Sequence, residues 1–126
     1  MAKKVKLDVN SIAELNNELY LLQKEKEITF AVKYDVAKVI EKTTQILKNY
    51  NEQRNKLIEQ YGEEKTEGKK DFTLEKGTEK GDKGFKELEG LMAKEETISA
   101  DFTFKDFKDL KSENAYIQLM KFLDKS

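Results

Sequence analysis

Between Val36 and Tyr61 the residues Val36, Ile40, Thr43, Leu47, Tyr50, Arg54, Leu57 and Tyr61 recur at steps that alternate four and three without a break. Positions three and four apart share one face of a helix, so this spacing is the seam of a long helix packed lengthwise on a partner. Glu41, Lys42, Lys48, Asn49, Asn55, Lys56 and Glu59 fill the other faces, and Gly62 stands where a helix takes its C-terminal glycine. No proline occurs anywhere in the chain, so nothing in the sequence forces a break. The pattern predicts one helix over about 31–61. At 1.5 Å per residue it is roughly 45 Å long, whereas a compact domain of this size has a radius of gyration of only about 14 Å. Such a helix either overhangs its own domain or packs on a second copy. The expectation is a homo-oligomer, a dimer through the long helix.

The remaining elements follow from local patterning. Lys4 to Val9 alternates polar and apolar, as a half-buried strand does. Ser11 and Glu14 have the spacing of a capping box, and a helix from Ser11 would bury Ile12, Leu15, Leu19 and Leu22. Ile28-Thr29-Phe30 reads as the bend before the long helix, with Thr29 as its N-cap. Asp71 to Lys76 alternates again as a second strand, and Thr97 to Phe104 is the clearest strand, with Ile98, Ala100, Phe102 and Phe104 on one face. Phe85, Leu88, Leu91 and Met92 suggest a short helix weakened by Gly90. Lys105 to Leu110 suits one helical turn, and Ser112 suits the cap of a last helix with Tyr116, Leu119, Met120 and Leu123 inward.

The implied fold is α+β: a small three-stranded sheet packed on the long helix and two or three shorter helices. At 126 residues the chain reads as a single domain over 1–126, with a mobile loop near 62–70 and a glycine-rich turn near 76–84.

Composition excludes more than it selects. Hydrophobic residues make up 37% of the chain and charged residues 39%, which points to thin layers, solvated helix faces or a core completed by another subunit. With 24 basic and 25 acidic residues the net charge is −1, which disfavours a duplex nucleic acid partner. There is no cysteine and no histidine, so thiolate chemistry, Ser-His catalysis and ordinary zinc sites are absent. No cofactor motif and no metal-ligand spacing is present, and no catalytic residue can be named. No apolar run approaches the ~18 residues that span a bilayer, so a membrane partner is not expected.

Arg54 is the only arginine, and it occupies the apolar seam between Tyr50 and Leu57. A guanidinium there either snorkels to water from a frayed end or holds something acidic: a phosphate or carboxylate gripped in two-pronged fashion with Tyr50 and Tyr61 flanking it, or a glutamate in a structural ion pair. The run Gly77-Thr78-Glu79-Lys80-Gly81-Asp82-Lys83-Gly84 has the glycine content of a phosphate loop but lacks the terminal Gly-Lys-Ser/Thr, and its acids would repel phosphate. Phe102, Phe104 and Phe107 alternate as a core strand does, although such a cluster also serves as a stacking platform for bases.

The opening Val5-Lys6-Leu7, the leucine face of the first helix, Ile28 to Lys38, and Tyr50 with Arg54 to Gly62 resemble a family of small phage and prophage proteins of low-GC Gram-positive bacteria. The similarity covers half to two-thirds of the chain and carries no catalytic signature. It implies a phage origin and an accessory role, and it adds interest to Lys33, Lys38 and Arg54, which fall in its recurrent segments. Val5 to Val9 alternates and does not form a signal-peptide apolar stretch, so the expected place is the host cytoplasm. The expectation is a non-enzymatic binding protein that serves counter-defence by capturing a host protein or an anionic small molecule such as a signalling nucleotide, through Arg54, Tyr50, Tyr61, Lys33 and Lys38. The alternative is a virion or tail accessory protein that works through helix packing.

Overall fold

The computed structural model describes residues 3–64, 72–110 and 115–124. Its elements run β1 (Lys3–Asp8), α1 (Val9–Leu22), α2 (Phe30–Tyr61), β2 (Glu63–Glu64), β3 (Phe72–Thr73), α3 (Glu79–Met92), β4 (Glu95–Ala100), a 3-10 turn (Phe104–Phe107) and α4 (Ile117–Asp124). They form two compact units. The first comprises Met1–Leu47 and Glu95–Ser126, and the second Lys48–Lys94, so α2 contributes to both.

In the first unit β1 and β4 pair antiparallel, with Val5 opposite Ile98 and Lys3 opposite Ala100. Alternation sends Val5 and Leu7 inward with Ile98 and Ala100, and Lys4 and Lys6 to solvent. Asp8 both ends β1 and caps α1, its Oδ1 accepting the Ser11 N–H at 2.8 Å. The helix therefore starts at Val9, ahead of the Ser11 box, because the aspartate at the strand end reaches the third amide first. Ile12, Leu15, Leu19 and Leu22 of α1 join Val36, Val39 and Ile40 of α2, Phe102, Phe107, and Leu119, Phe122 and Leu123 of α4 in one buried cluster. Phe102 meets Phe107 edge-on at 5.5 Å between ring centroids and Phe122 at 6.3 Å.

One buried polar contact interrupts this core. Asn16 Nδ2 donates to Thr43 Oγ1 at 2.8 Å and to Thr44 Oγ1 at 3.1 Å. The Thr43 hydroxyl turns its own proton to the helix carbonyls of Val39 and Ile40, at 2.9 and 3.1 Å. Three glutamates of α1 and its end then hold the C-terminal segment. Glu18 accepts the amides of Gln118 and Leu119, each at 3.0 Å, which satisfies two donors that the start of α4 leaves open. Glu14 accepts from the Gln118 side chain, and Tyr116 donates to Glu25 at 2.6 Å.

The expected strand through Phe104 stops at Ala100. Thr103 N donates to Asp106 Oδ2 at 2.7 Å, and the 3-10 turn that follows swings Phe104 outward to 44% exposure while Phe102 stays at 1%. The expected three-stranded sheet is not formed among the described residues. β3 pairs instead with β2, Glu63 opposite Thr73 and Glu64 opposite Phe72, as a separate two-stranded ribbon. Its partner is the nearest one along the chain, since Glu63 begins where Gly62 ends α2.

Of the loop expected over 62–70, Gly62 to Glu64 form the bend and β2, and residues 65–70 lie outside the described residues, as does Ser112. The glycine-rich turn is also revised. Gly77 takes a left-handed φ of +85°, and Thr78 then caps α3, accepting the Gly81 amide at 2.9 Å. Asp82 Oδ1 accepts the Gly77 amide at 3.1 Å, so the acids that argue against phosphate belong to the helix start. Gly84 is helical and buried because a Cβ there would lie 2.7 Å from Tyr61 Cβ and from Leu74 Cδ2.

Phe102→Ala is expected to destabilise the first unit by about 3–5 kcal/mol, whereas Phe104→Ala should cost no more than about 1 kcal/mol. Urea unfolding of the two variants, followed by circular dichroism, checks the difference.

Candidate functional site

The first part of α2 shows how the candidate residues are placed. Thr29 Oγ1 accepts the Val32 amide at 3.3 Å and Thr29 O accepts the Lys33 amide at 3.0 Å, so the helix starts at Phe30. Gln23 Nε2 donates to Lys33 O at 2.8 Å and ties this first turn to the end of α1. Val36, Val39, Ile40 and Thr43 face the core. At about 100° per residue, Phe30, Tyr34, Ala37 and Glu41 fall on the opposite side. Phe30 is 85% exposed and Tyr34 67%, the two most exposed large apolar residues described.

The rings are one turn apart, a spacing that sets Cβ atoms about 5–6 Å from each other. Lys33 Nζ lies 5.1 Å from the Phe30 ring centroid, and Lys38 Nζ lies 4.8 Å from that of Tyr34. Lys38 also sits 3.9 Å from the Asp35 carboxylate, while Lys33 has no carboxylate partner among the described residues. Exposed cation–π pairs of this kind are worth only about 0.5–1 kcal/mol, so they do not account for two aromatic rings left in water. Each ring carries an ammonium over one face and leaves most of its remaining surface exposed, which suits a planar ligand carrying negative charge.

The other candidates, Tyr50, Arg54 and Tyr61, belong to the second unit, so the five do not form one described group. The 4–3 stripe of α2 persists geometrically, but burial ends at Thr43. Leu47, Tyr50, Leu57 and Tyr61 are half-buried and Arg54 is exposed. The reading of Arg54 as a charge enclosed in an apolar seam is thereby corrected. The second unit has too few elements to cover that face, and a solvated guanidinium needs no acidic partner. Among the described residues none forms an ion pair with it.

Tyr61 instead lines an open groove of about 640 Å³ within the second unit, together with Lys56 and Leu57 of α2, Glu87 and Leu91 of α3, and Lys94. Arg54 does not line it. Among the described residues no group of three or more acidic side chains is placed to hold a metal ion, and no helix is long and apolar enough to cross a membrane.

Sequence reasoning named Lys33 and Lys38 but not the rings beside them. The signal was present: two aromatics off the apolar stripe of a helix. No family model matches the chain, and neither the curated proteins nor the solved structures contain a match to it.

Because Arg54 is solvated, Arg54→Ala is expected to change stability by less than about 0.5 kcal/mol, measured as a shift in denaturant midpoint at constant slope.

Proposed function

We propose that this chain is a phage-encoded, non-enzymatic binding protein that acts in the host cytoplasm by capturing an anionic nucleotide on the Phe30–Tyr34 ridge. One observation carries the reading: two rings exposed on the side of α2 away from the core, each with a lysine ammonium about 5 Å from its centre. A base stacks on such a ring whatever its identity, and lysine supplies charge to phosphate without demanding a fixed geometry. The ridge lies wholly within Ile28 to Lys38, one of the segments that resemble small phage proteins. That resemblance supplies the phage origin and an accessory role; counter-defence in the host cytoplasm is the accessory role that capture of a nucleotide suits.

Calorimetric titration with ATP and with a cyclic dinucleotide tests the proposal. The parent protein is expected to bind at least one of them. Tyr34→Ala should weaken binding roughly 5- to 100-fold, the range that loss of one stacked base gives, and Lys33→Ala should steepen the loss at low salt. Both variants should melt with the parent, since the residues are not in the core. Absence of binding to either nucleotide, or binding that ignores both substitutions, overturns the reading. Retention on a host protein instead would transfer the ridge to protein capture.

A second reading, a virion or tail accessory protein working through helix packing, is favoured by a different observation: none of the described apolar side chains between residues 48 and 94 is fully buried. Co-sedimentation of the protein with assembled particles would favour it over nucleotide capture.

A further inference from the structure

The fully buried apolar side chains described all belong to the first unit. In the second, Tyr50, Leu57, Ile58, Tyr61, Phe72, Leu74, Phe85, Leu88 and Leu91 reach only partial burial, and Met92 is exposed. The stretch 65–71 outside the described residues is Lys-Thr-Glu-Gly-Lys-Lys-Asp and has no apolar side chain to add. What is buried there is glycine: Gly62, Gly81 and Gly84. Two helices and a ribbon of two residues per strand are below the size at which a body buries enough apolar surface alone. The second unit is a half-finished core.

Gly90 gives a second, independent sign. A glycine inside a helix costs about 1 kcal/mol relative to alanine, and its bare backbone admits a close approach by a neighbour. At Gly84 that neighbour is Tyr61, whereas a Cβ built at Gly90 meets nothing within 4 Å. Gly90 lines the groove between α2 and α3. The chain itself makes no use of the missing methyl, and a backbone arriving from outside would.

We propose that this groove is a twofold interface in which the second unit of another copy of the chain completes the core. The occupant follows from two arguments. An unfinished core must be covered in every molecule at all times, and a second copy is the partner that is always present at equal concentration. The rim is also self-complementary. Its lining carries charge of both signs, Lys56 and Lys94 with Glu87, so two copies related by a twofold axis can pair glutamate with lysine. The interface thus replaces a seam running the length of α2 with one confined to its last turns and α3. It is independent of the nucleotide reading, which concerns the other unit.

Light scattering of the full-length protein across micromolar concentrations tests this. The expected mass is twice 14.7 kDa. Gly90→Ala adds only a methyl into space that is open within the chain and improves helix propensity, so the fold of each copy is preserved. It should nevertheless raise the dimer dissociation constant roughly 5- to 100-fold, as one overpacked contact does. Glu87→Lys should weaken the dimer as well, and a second change in the same chain, Lys94→Glu or Lys56→Glu, should restore it. A single-chain mass from micromolar to near-millimolar protein overturns the proposal. So does a dimer that ignores Gly90→Ala and Glu87→Lys, because its contact then lies elsewhere. Nucleotide titration of the same variants reads the first unit separately.

Discussion

The amide of Asn16 is enclosed between α1 and α2, and its hydrogen bonds to Thr43 and Thr44 fix how the two helices meet. A buried amide left without an acceptor costs about 1–3 kcal/mol. Sliding α2 by one turn would bring Val39 or Leu47 to Asn16, and neither has a side-chain acceptor. The apolar contacts around it would tolerate that shift far better, because Leu, Val and Ile pack in many registers. The polar pair therefore supplies specificity where the surrounding hydrophobic burial supplies most of the energy. Once Thr43 points inward, helical geometry places Phe30, Tyr34, Ala37 and Glu41 outward. The aromatic ridge is thus a consequence of a hydrogen bond three turns away.

The same unit uses charge to dock its C-terminal helix. A short helix of eight residues has little cooperative stability of its own. Glu18 supplies from α1 the N-terminal capping that α4 does not take from its own first turn, and it does so at the helix end where the dipole favours negative charge. Leu119, Phe122 and Leu123 then fill the cluster beneath. Glutamates that look like ordinary solvated charges in the sequence are in this way contacts between residues about a hundred positions apart.

What was legible in the sequence and what was not divides along physical lines. The long helix was expected over 31–61 and runs from Phe30 to Tyr61. Its apolar period, the Thr29 cap and the Gly62 stop are all local signals that agree. The two longer strands were legible from alternation, although the Thr103–Asp106 turn shortened the last one. The strand expected over Asp71 to Lys76 is present but cut to Phe72–Thr73, and its partner β2 was not legible, since a two-residue pairing leaves no periodic trace. The helix through Phe85, Leu88 and Leu91 was expected, but its start at Glu79 inside the glycine-rich run was missed, because propensity argues against it and the approach of Tyr61 to Gly84 is a contact between distant residues. At the candidate site, Lys33 and Lys38 were found for their segment and not for their rings. Arg54 was placed on the correct side of the helix and at the wrong depth. Periodicity reports direction; it carries no information about how much structure lies in that direction.

Depth depends on the number of covering layers, and α2 shows this within one helix. Before Leu47 its stripe belongs to the buried cluster that α1, α4 and the β1–β4 sheet also supply, and Val36 and Thr43 are fully enclosed. Beyond Lys48 the same stripe has α3 and a short ribbon for company, and Leu57 and Tyr61 keep part of their surface in water. The residues are not less apolar; the neighbours are fewer. A composition with 39% charged residues does not spread a thin core evenly over the fold. It concentrates one well-packed core in the first unit and leaves the second with apolar side chains whose burial is incomplete. An arginine is tolerated in that second stretch for the same reason, since a seam that water reaches imposes no desolvation cost on a guanidinium. The lone arginine thus lies beyond the point along α2 where the covering layers give out.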